Sequence, residues 1–274
     1  MKKTLFAIFI GAAVILTSCG GDEDHGNSYD YERSDSLSVD YTRQSLAIRG
    51  NIKEASGFYL LLKSRGAEFN GSLVNSPGSV SKYSSSFDKS VNMGIYGADL
   101  NYLTVFEQSE NARSTVESIS KLATSLGIES AFDKESFDKI VSTSDSLDLR
   151  QKSNLISKAF RNAEDQMYSD ERALMGTLMI SGGWIESVYL TSSVILQNDI
   201  DPTGLSDFWV LVYNHASVLK MLKVFGDDAD AKKMYEHYKS IEPLVKSITD
   251  KSKLTVEDIE GINSELAKIR ATLI

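Results

Sequence analysis

Residues Ala173–Leu196 read ALMGTLMISGGWIESVYLTSSVIL, 24 residues among which Glu186 is the single charge. A helix of that length could cross a bilayer, which takes about 20 apolar residues. Ser181, Gly182, Gly183 and Glu186 lie near its middle, however, where a charge in hydrocarbon is costly. The stretch therefore predicts a helix buried on every side within a larger helical body. Phe208–Phe225 reads the same way, opened by Asp201-Pro202 as cap and first-turn proline and closed by Gly226. Two helices without a polar face need neighbours all round. The expectation is an all-α fold: a single multi-helix bundle of about seven to eight helices, with Gly183 at a close helix crossing.

The rest of the chain supplies those neighbours. Ile52, Ala55, Phe58, Tyr59 and Leu62 recur at three and four residues, one face of a helix. Gly66–Gly78, with Asn70-Gly71 and Pro77-Gly78, reads as a loop. Helical spacing then runs from Val80 to Val105, and from Val116 to Leu126, where Gly127 offers a helix stop. Phe132, Phe137, Ile140 and Val141 make a short element, and Leu155, Ala159, Ala163 and Met167 mark a longer one. The last helix has Thr255 as N-cap with Asp258 at its third position, and Leu254 and Ile259 placed as a hydrophobic staple. Ile262, Leu266, Ile269 and Leu273 continue its stripe. Three prolines in 274 residues suit long helices, and no alternating run is long enough to require a strand.

The N-terminus sets the expected compartment. Lys2 and Lys3 precede an apolar run, Leu5–Leu16, that is too short to span and reads as a secretory signal, residues 1–18. Leu16-Thr17-Ser18-Cys19 resembles a bacterial lipobox, the signal for cleavage before the cysteine and its lipidation. Cys19 is the only cysteine in the chain, so lipidation accounts for a thiol that otherwise lacks a partner in an exported protein. Losing Lys2 and Lys3 with the signal would deepen the formal charge from −9 to −11. The acidic run Asp22-Glu23-Asp24 resembles a surface-export signal of Bacteroidota-type lipoproteins. Residues 19–45 as a whole read as a flexible acidic tether, leaving 46–274 as the helical domain. The expected location is the outer membrane, held through lipid, with the cell surface favoured over the periplasmic face.

Asn92-Met93-Gly94-Ile95-Tyr96-Gly97-Ala98-Asp99-Leu100-Asn101-Tyr102 and Gly182-Gly183-Trp184-Ile185-Glu186 resemble two signatures of a family of all-helical Bacteroidota-type outer-membrane lipoproteins with no established activity. The resemblance implies compartment and fold and carries no chemistry across. In physical terms, Gly94, Gly97, Gly182 and Gly183 let helix backbones approach closely.

The chain lacks a Gly-rich phosphate loop, a Gly-x-Ser-x-Gly elbow and a His-Glu-x-x-His pair. Its histidines, His25, His215 and His237, have no ligand-spaced partners, so no metal, cofactor or catalytic residue is expected, and the chain reads as a non-enzyme. The acidic balance argues against nucleic acid. One constellation stands out: Asp99 beside Tyr96 and Tyr102, and Glu186 beside Trp184. If their helices pack together, the two carboxyls face a shared interior where a cation or polar ligand could sit; otherwise each is satisfied by a neighbour. The functional expectation is a membrane-anchored, protein-binding or organising body. The alternatives are a lipoprotein with an internal ligand pocket at these residues, or an immunity-type lipoprotein that neutralises a toxin.

Overall fold

The computed structural model describes residues 43–45, 51–142, 147–170, 172–202, 205–250 and 254–274. The signal segment, Cys19 and the acidic run at 22–24 lie outside the described residues. Every regular element among the described residues is helical. Ten α-helices follow in order: α1 Asn51–Ser64, α2 Ser86–Val105, α3 Ser109–Leu126, α4 Lys134–Val141, α5 Leu149–Ser169, α6 Ala173–Gln197, α7 Ser206–Tyr213, α8 His215–Val224, α9 Ala229–Ser247 and α10 Val256–Ala271. Two 3-10 turns, Pro77–Lys82 and Glu129–Ala131, precede α2 and α4.

The most extensive helix–helix contact is that of α2 with α6, the two helices that carry the glycine signatures. A Cβ on Gly94 would fall 1.9 Å from the Met179 carbonyl oxygen, and one on Gly182 would fall 2.1 Å from that of Val91. Gly183 is looser, its Cβ position lying 3.3 Å from the Gly94 oxygen. The expected crossing is present, with Gly94 and Gly182 as its tightest points. Gly97 does not share it; a Cβ there would instead enter the Phe160 ring of α5 at 2.5 Å.

This central pair divides the core in two. On one side Met93, Tyr96, Leu100 and Leu103 of α2 pack with apolar side chains of α3, α4 and α5. On the other, Ile185, Val188 and Val194 of α6 pack with α1, α7, α8, α9 and α10. Four buried hydroxyls of α6 bond back along their own helix. Thr177, Ser181, Thr191 and Ser192 donate to the carbonyls of Ala173, Thr177, Ser187 and Val188 at 2.6–3.0 Å, while the buried Ser187 hydroxyl has no partner among the described residues. No helix among the described residues is long and apolar enough to cross a membrane; α6 is a central helix of the fold.

Four expectations are corrected. The apolar spacing from Val80 to Val105 is not one helix. Ser85 and Asp88 form a reciprocal capping box that starts α2, and Val80 belongs to the 3-10 turn before it. Phe208–Phe225 is not one all-round buried helix either. It is interrupted at Asn214, begins at Ser206 and not at Asp201-Pro202, and leaves Val210 and Tyr213 exposed. The count exceeds eight because of that interruption and because of α9. The polar surface and interior Pro243 of α9 conceal a stripe of Ala231, Met234, Tyr238, Ile241 and Val245. The boundary at residue 45 also moves, since 43–45 are helical, Gln44 and Ser45 are buried, and the Ser45 hydroxyl donates to Glu164. The Thr255 capping box and its buried stripe appear as expected.

Candidate functional site

Asp99 and Glu186 are brought together by the α2–α6 crossing, and both are fully buried. Asp99 sits one turn beyond Gly94 on α2, and Glu186 one turn beyond Gly182 on α6, so the helix approach that needs the glycines also places the carboxyls. A third charge meets them. Arg270, in the last turn of α10, donates from Nε to Glu186 Oε2 at 2.6 Å and from a terminal nitrogen to the Leu73 carbonyl at 2.9 Å. Its guanidinium lies over the Tyr189 ring, 4.8 Å from the centroid. The Asn75 backbone N–H donates to Asp99 Oδ2 at 3.0 Å. The loop after α1 thus reaches into the core and supplies one contact to each end of the cluster.

Asp99 Oδ1 and Glu186 Oε1 have no hydrogen-bond donor among the described residues, and the two carboxyls lie close enough to perturb each other. Burial, helped by the neighbouring Glu186, holds the Asp99 carboxyl well above the ordinary carboxylate range. Burial also raises Glu186, but Arg270 pulls it back down. The two shifts together favour a proton on Asp99, with Glu186 paired to Arg270. The three side chains together are neutral, the arrangement that a low-dielectric interior favours.

The aromatic residues expected around a pocket are core residues with their polar atoms engaged. Tyr96 donates to the Ser76 carbonyl at 2.7 Å. The Tyr102 hydroxyl accepts from the Asn70 N–H at 3.0 Å, its ring packed against Tyr59, Phe69 and Phe106. Trp184 donates from Nε1 to the Leu211 carbonyl at 2.8 Å and packs on Tyr238 and His215. The residues expected to line a ligand pocket, Tyr96, Asp99, Tyr102, Trp184 and Glu186, are all buried in the core. The carboxyls do converge, Arg270 and the Asn75 N–H supply partners to them, and Asp99 and Glu186 present no surface to solvent. Arg270 was the residue that sequence reasoning missed. A basic residue in a last helical turn reads as a favourable surface charge, yet its place one turn after Leu266, beside the buried stripe of α10, was the available signal.

His215 is buried on α8, with Nε2 2.7 Å from the Tyr238 carbonyl, so that nitrogen carries the proton. Burial lowers its pKa. His237 is half-buried on α9, and His25 lies outside the described residues. Among the described residues no three His, Cys, Asp or Glu side chains cluster as metal ligands do. Open clefts lie elsewhere on the surface. One of about 590 Å³ between α3 and α4 has Val116, Phe132, Phe137 and Val141 among its lining residues, with Arg113 and Lys121 also bordering it. Another, of about 430 Å³, runs beside α7 and α8.

No family model matches the chain, and neither a curated protein nor a solved structure matches it.

Proposed function

We propose that the chain is a lipid-anchored envelope protein whose helical bundle has a non-enzymatic, protein-binding or organising role. The observation that carries this reading is Leu16-Thr17-Ser18-Cys19, which puts the only cysteine of the chain directly after a lipobox-like triplet and a charged-then-apolar leader. Several acyl chains on Cys19 make a stable anchor where one would not. Residues that follow Cys19 serve as the tether, and the Asp22-Glu23-Asp24 run directs the protein to the cell surface. The likeness of Asn92–Tyr102 and Gly182–Glu186 to a lipoprotein family supports the same compartment.

The buried interior speaks for a body that works through its surface. With Asp99, Glu186 and Arg270 neutralising one another out of reach of solvent, the internal-ligand alternative has less to support it. The apolar-lined cleft between α3 and α4, with charged side chains at its edge, suits a protein segment with an apolar ridge.

Fatty-acid labelling tests the anchor. Cys19→Ala should abolish incorporation of label and release the protein from washed membranes. Continued membrane attachment of an unlabelled chain would overturn the lipoprotein reading. For display, external protease should cleave the protein on whole cells. Replacing Asp22, Glu23 and Asp24 with alanine should protect it, and equal cleavage in both strains would remove the export role of that run.

A further inference from the structure

The face formed by α7 and the start of α8 is unlike the rest of the molecule. Phe208, Leu211 and Val212 of α7 point into the core, while Val210 is 45% exposed and Tyr213 61% exposed. Trp209 and Tyr213 lie one turn apart with ring centroids 5.9 Å from each other. The adjoining cleft, about 430 Å³, has these two rings, Lys220, Lys223, Lys246 and one acidic residue, Glu242, among its lining. Lys220 and Lys223 are exposed and make no ion pair among the described residues, Lys223 lying 5.9 Å from the centroid of the Tyr235 ring. Lys246 pairs with Glu242, at 2.8 Å, which Lys239 also neutralises. In a chain of net charge −9, a locally cationic patch bordered by the half-buried Trp209 and the exposed Tyr213 is a departure that packing does not require.

We infer that this face docks on an anionic bilayer surface, with Trp209 and Tyr213 at the headgroup level, Val210 beneath it, and Lys220, Lys223 and Lys246 against lipid phosphates. Tryptophan and tyrosine favour the membrane–water boundary because an apolar ring and a polar edge are both accommodated there, and lysines beside them add attraction to anionic lipid. A groove for a protein partner has no comparable need for a surplus of lysines beside its aromatic rings. The chain length agrees. The residues between Cys19 and Arg43 reach at most roughly 85 Å when extended, so a body anchored at Cys19 can lay this face on the same membrane. The inference rests on the proposed anchor only for which bilayer is met; the docking itself needs no lipid on Cys19.

The two tryptophans of the chain provide a local readout. Trp184 is closed in the core at 1% exposure, whereas Trp209 is part of the face. The full chain is mixed with vesicles of phosphatidylcholine alone, or of phosphatidylcholine and phosphatidylglycerol, with bromine on the acyl chains as quencher. Tryptophan emission should be quenched in the anionic vesicles, and Trp209→Phe should remove most of that quenching. Joint replacement of Lys220, Lys223 and Lys246 by glutamate, with helical content unchanged by circular dichroism, should lower the quenching at least about threefold, as should molar salt. Mass spectrometry of Cys19 reports the anchor separately. A chain without lipid whose Trp209 is still quenched retains the docking and refutes the anchor. A lipidated, membrane-bound chain whose Trp209 is unquenched, or quenched equally in neutral vesicles and in the lysine variant, overturns the docking proposal.

Discussion

Gly94→Ala and Gly182→Ala should each lower the thermal unfolding midpoint sharply, although each adds only a methyl group. The added carbon would lie 1.9 Å or 2.1 Å from a backbone oxygen of the facing helix, and backbone cannot swing aside as a side-chain tip can. The helices must separate by more than an ångström, which loosens both halves of the core because α2 and α6 line both. Overpacking typically costs about 1–3 kcal/mol, and a forced separation of two central helices belongs at or above the top of that range. Against a total near 5–15 kcal/mol this is a large fraction, corresponding to a fall of roughly 6–12 °C for a domain of this size. Gly183→Ala should be much milder, since its neighbour need yield only a few tenths of an ångström from 3.3 Å. Gly57→Ala should raise the midpoint, because that exposed helical position has no heavy atom within 4 Å of the new carbon and alanine is favoured by up to about 1 kcal/mol. Circular-dichroism melts of the four variants check the ranking. A Gly182→Ala melt matching that of Gly183→Ala would show that the helices do not cross at the described distance.

The second large effect is expected at Arg270. Arg270→Ala leaves the Glu186 carboxylate buried without its cation, at a cost of about 3–5 kcal/mol. Replacing Glu186 and Arg270 together by methionine should cost far less, since no charge is left unpaired. Asp99→Asn is the sharper probe. Asparagine can accept from the Asn75 N–H and is uncharged like the protonated acid, so the variant should fold with nearly the parent's stability. Its pH dependence should differ. The folded-state pKa of Asp99 is raised by burial, so its contribution is complete in acid, below the ordinary carboxylate range. It is lost as pH climbs to the folded value, at up to about 1.4 kcal/mol per pH unit. Denaturant midpoints measured from about pH 4 to pH 8 should therefore move in favour of Asp99→Asn as pH rises. Parallel profiles would mean that Asp99 is ionised in the folded protein.

Local chemistry was legible in the sequence wherever it is carried by adjacent residues. The Thr255 box, the Gly127 stop in left-handed backbone and burial over most of Gly176–Ile195 appear in the structure. The pairing of α2 with α6 could also be anticipated, because two helices with glycines at helical spacing suit each other. The misreadings arose where one pattern concealed another. Apolar spacing continued through Ser85 and hid the cap; neither glycine nor proline marks the interruption at Asn214; the stretch that forms α9 was not read as an element, its apolar stripe lying among charged residues. The site was half legible. Two carboxyls on apolar helices announced themselves, but their cation comes from a helix remote in sequence, and only tertiary packing brings Arg270 to Glu186.

The crossing also governs the order in which the protein can acquire its shape. The tightest backbone contact joins helices between which α3, α4 and α5 all intervene in the chain, so the loop to be closed before the interior seals is long. Neither half of the core is complete until α6 arrives, since its side chains contribute to both. Formation of the α2–α6 seam should accordingly be the slow, high-barrier event, with the short-range pairs α2–α3 and α4–α5 forming earlier. A chain that stays open until that late step exposes two incomplete half-cores for longer, and the closing of one long loop sets how long that exposure lasts.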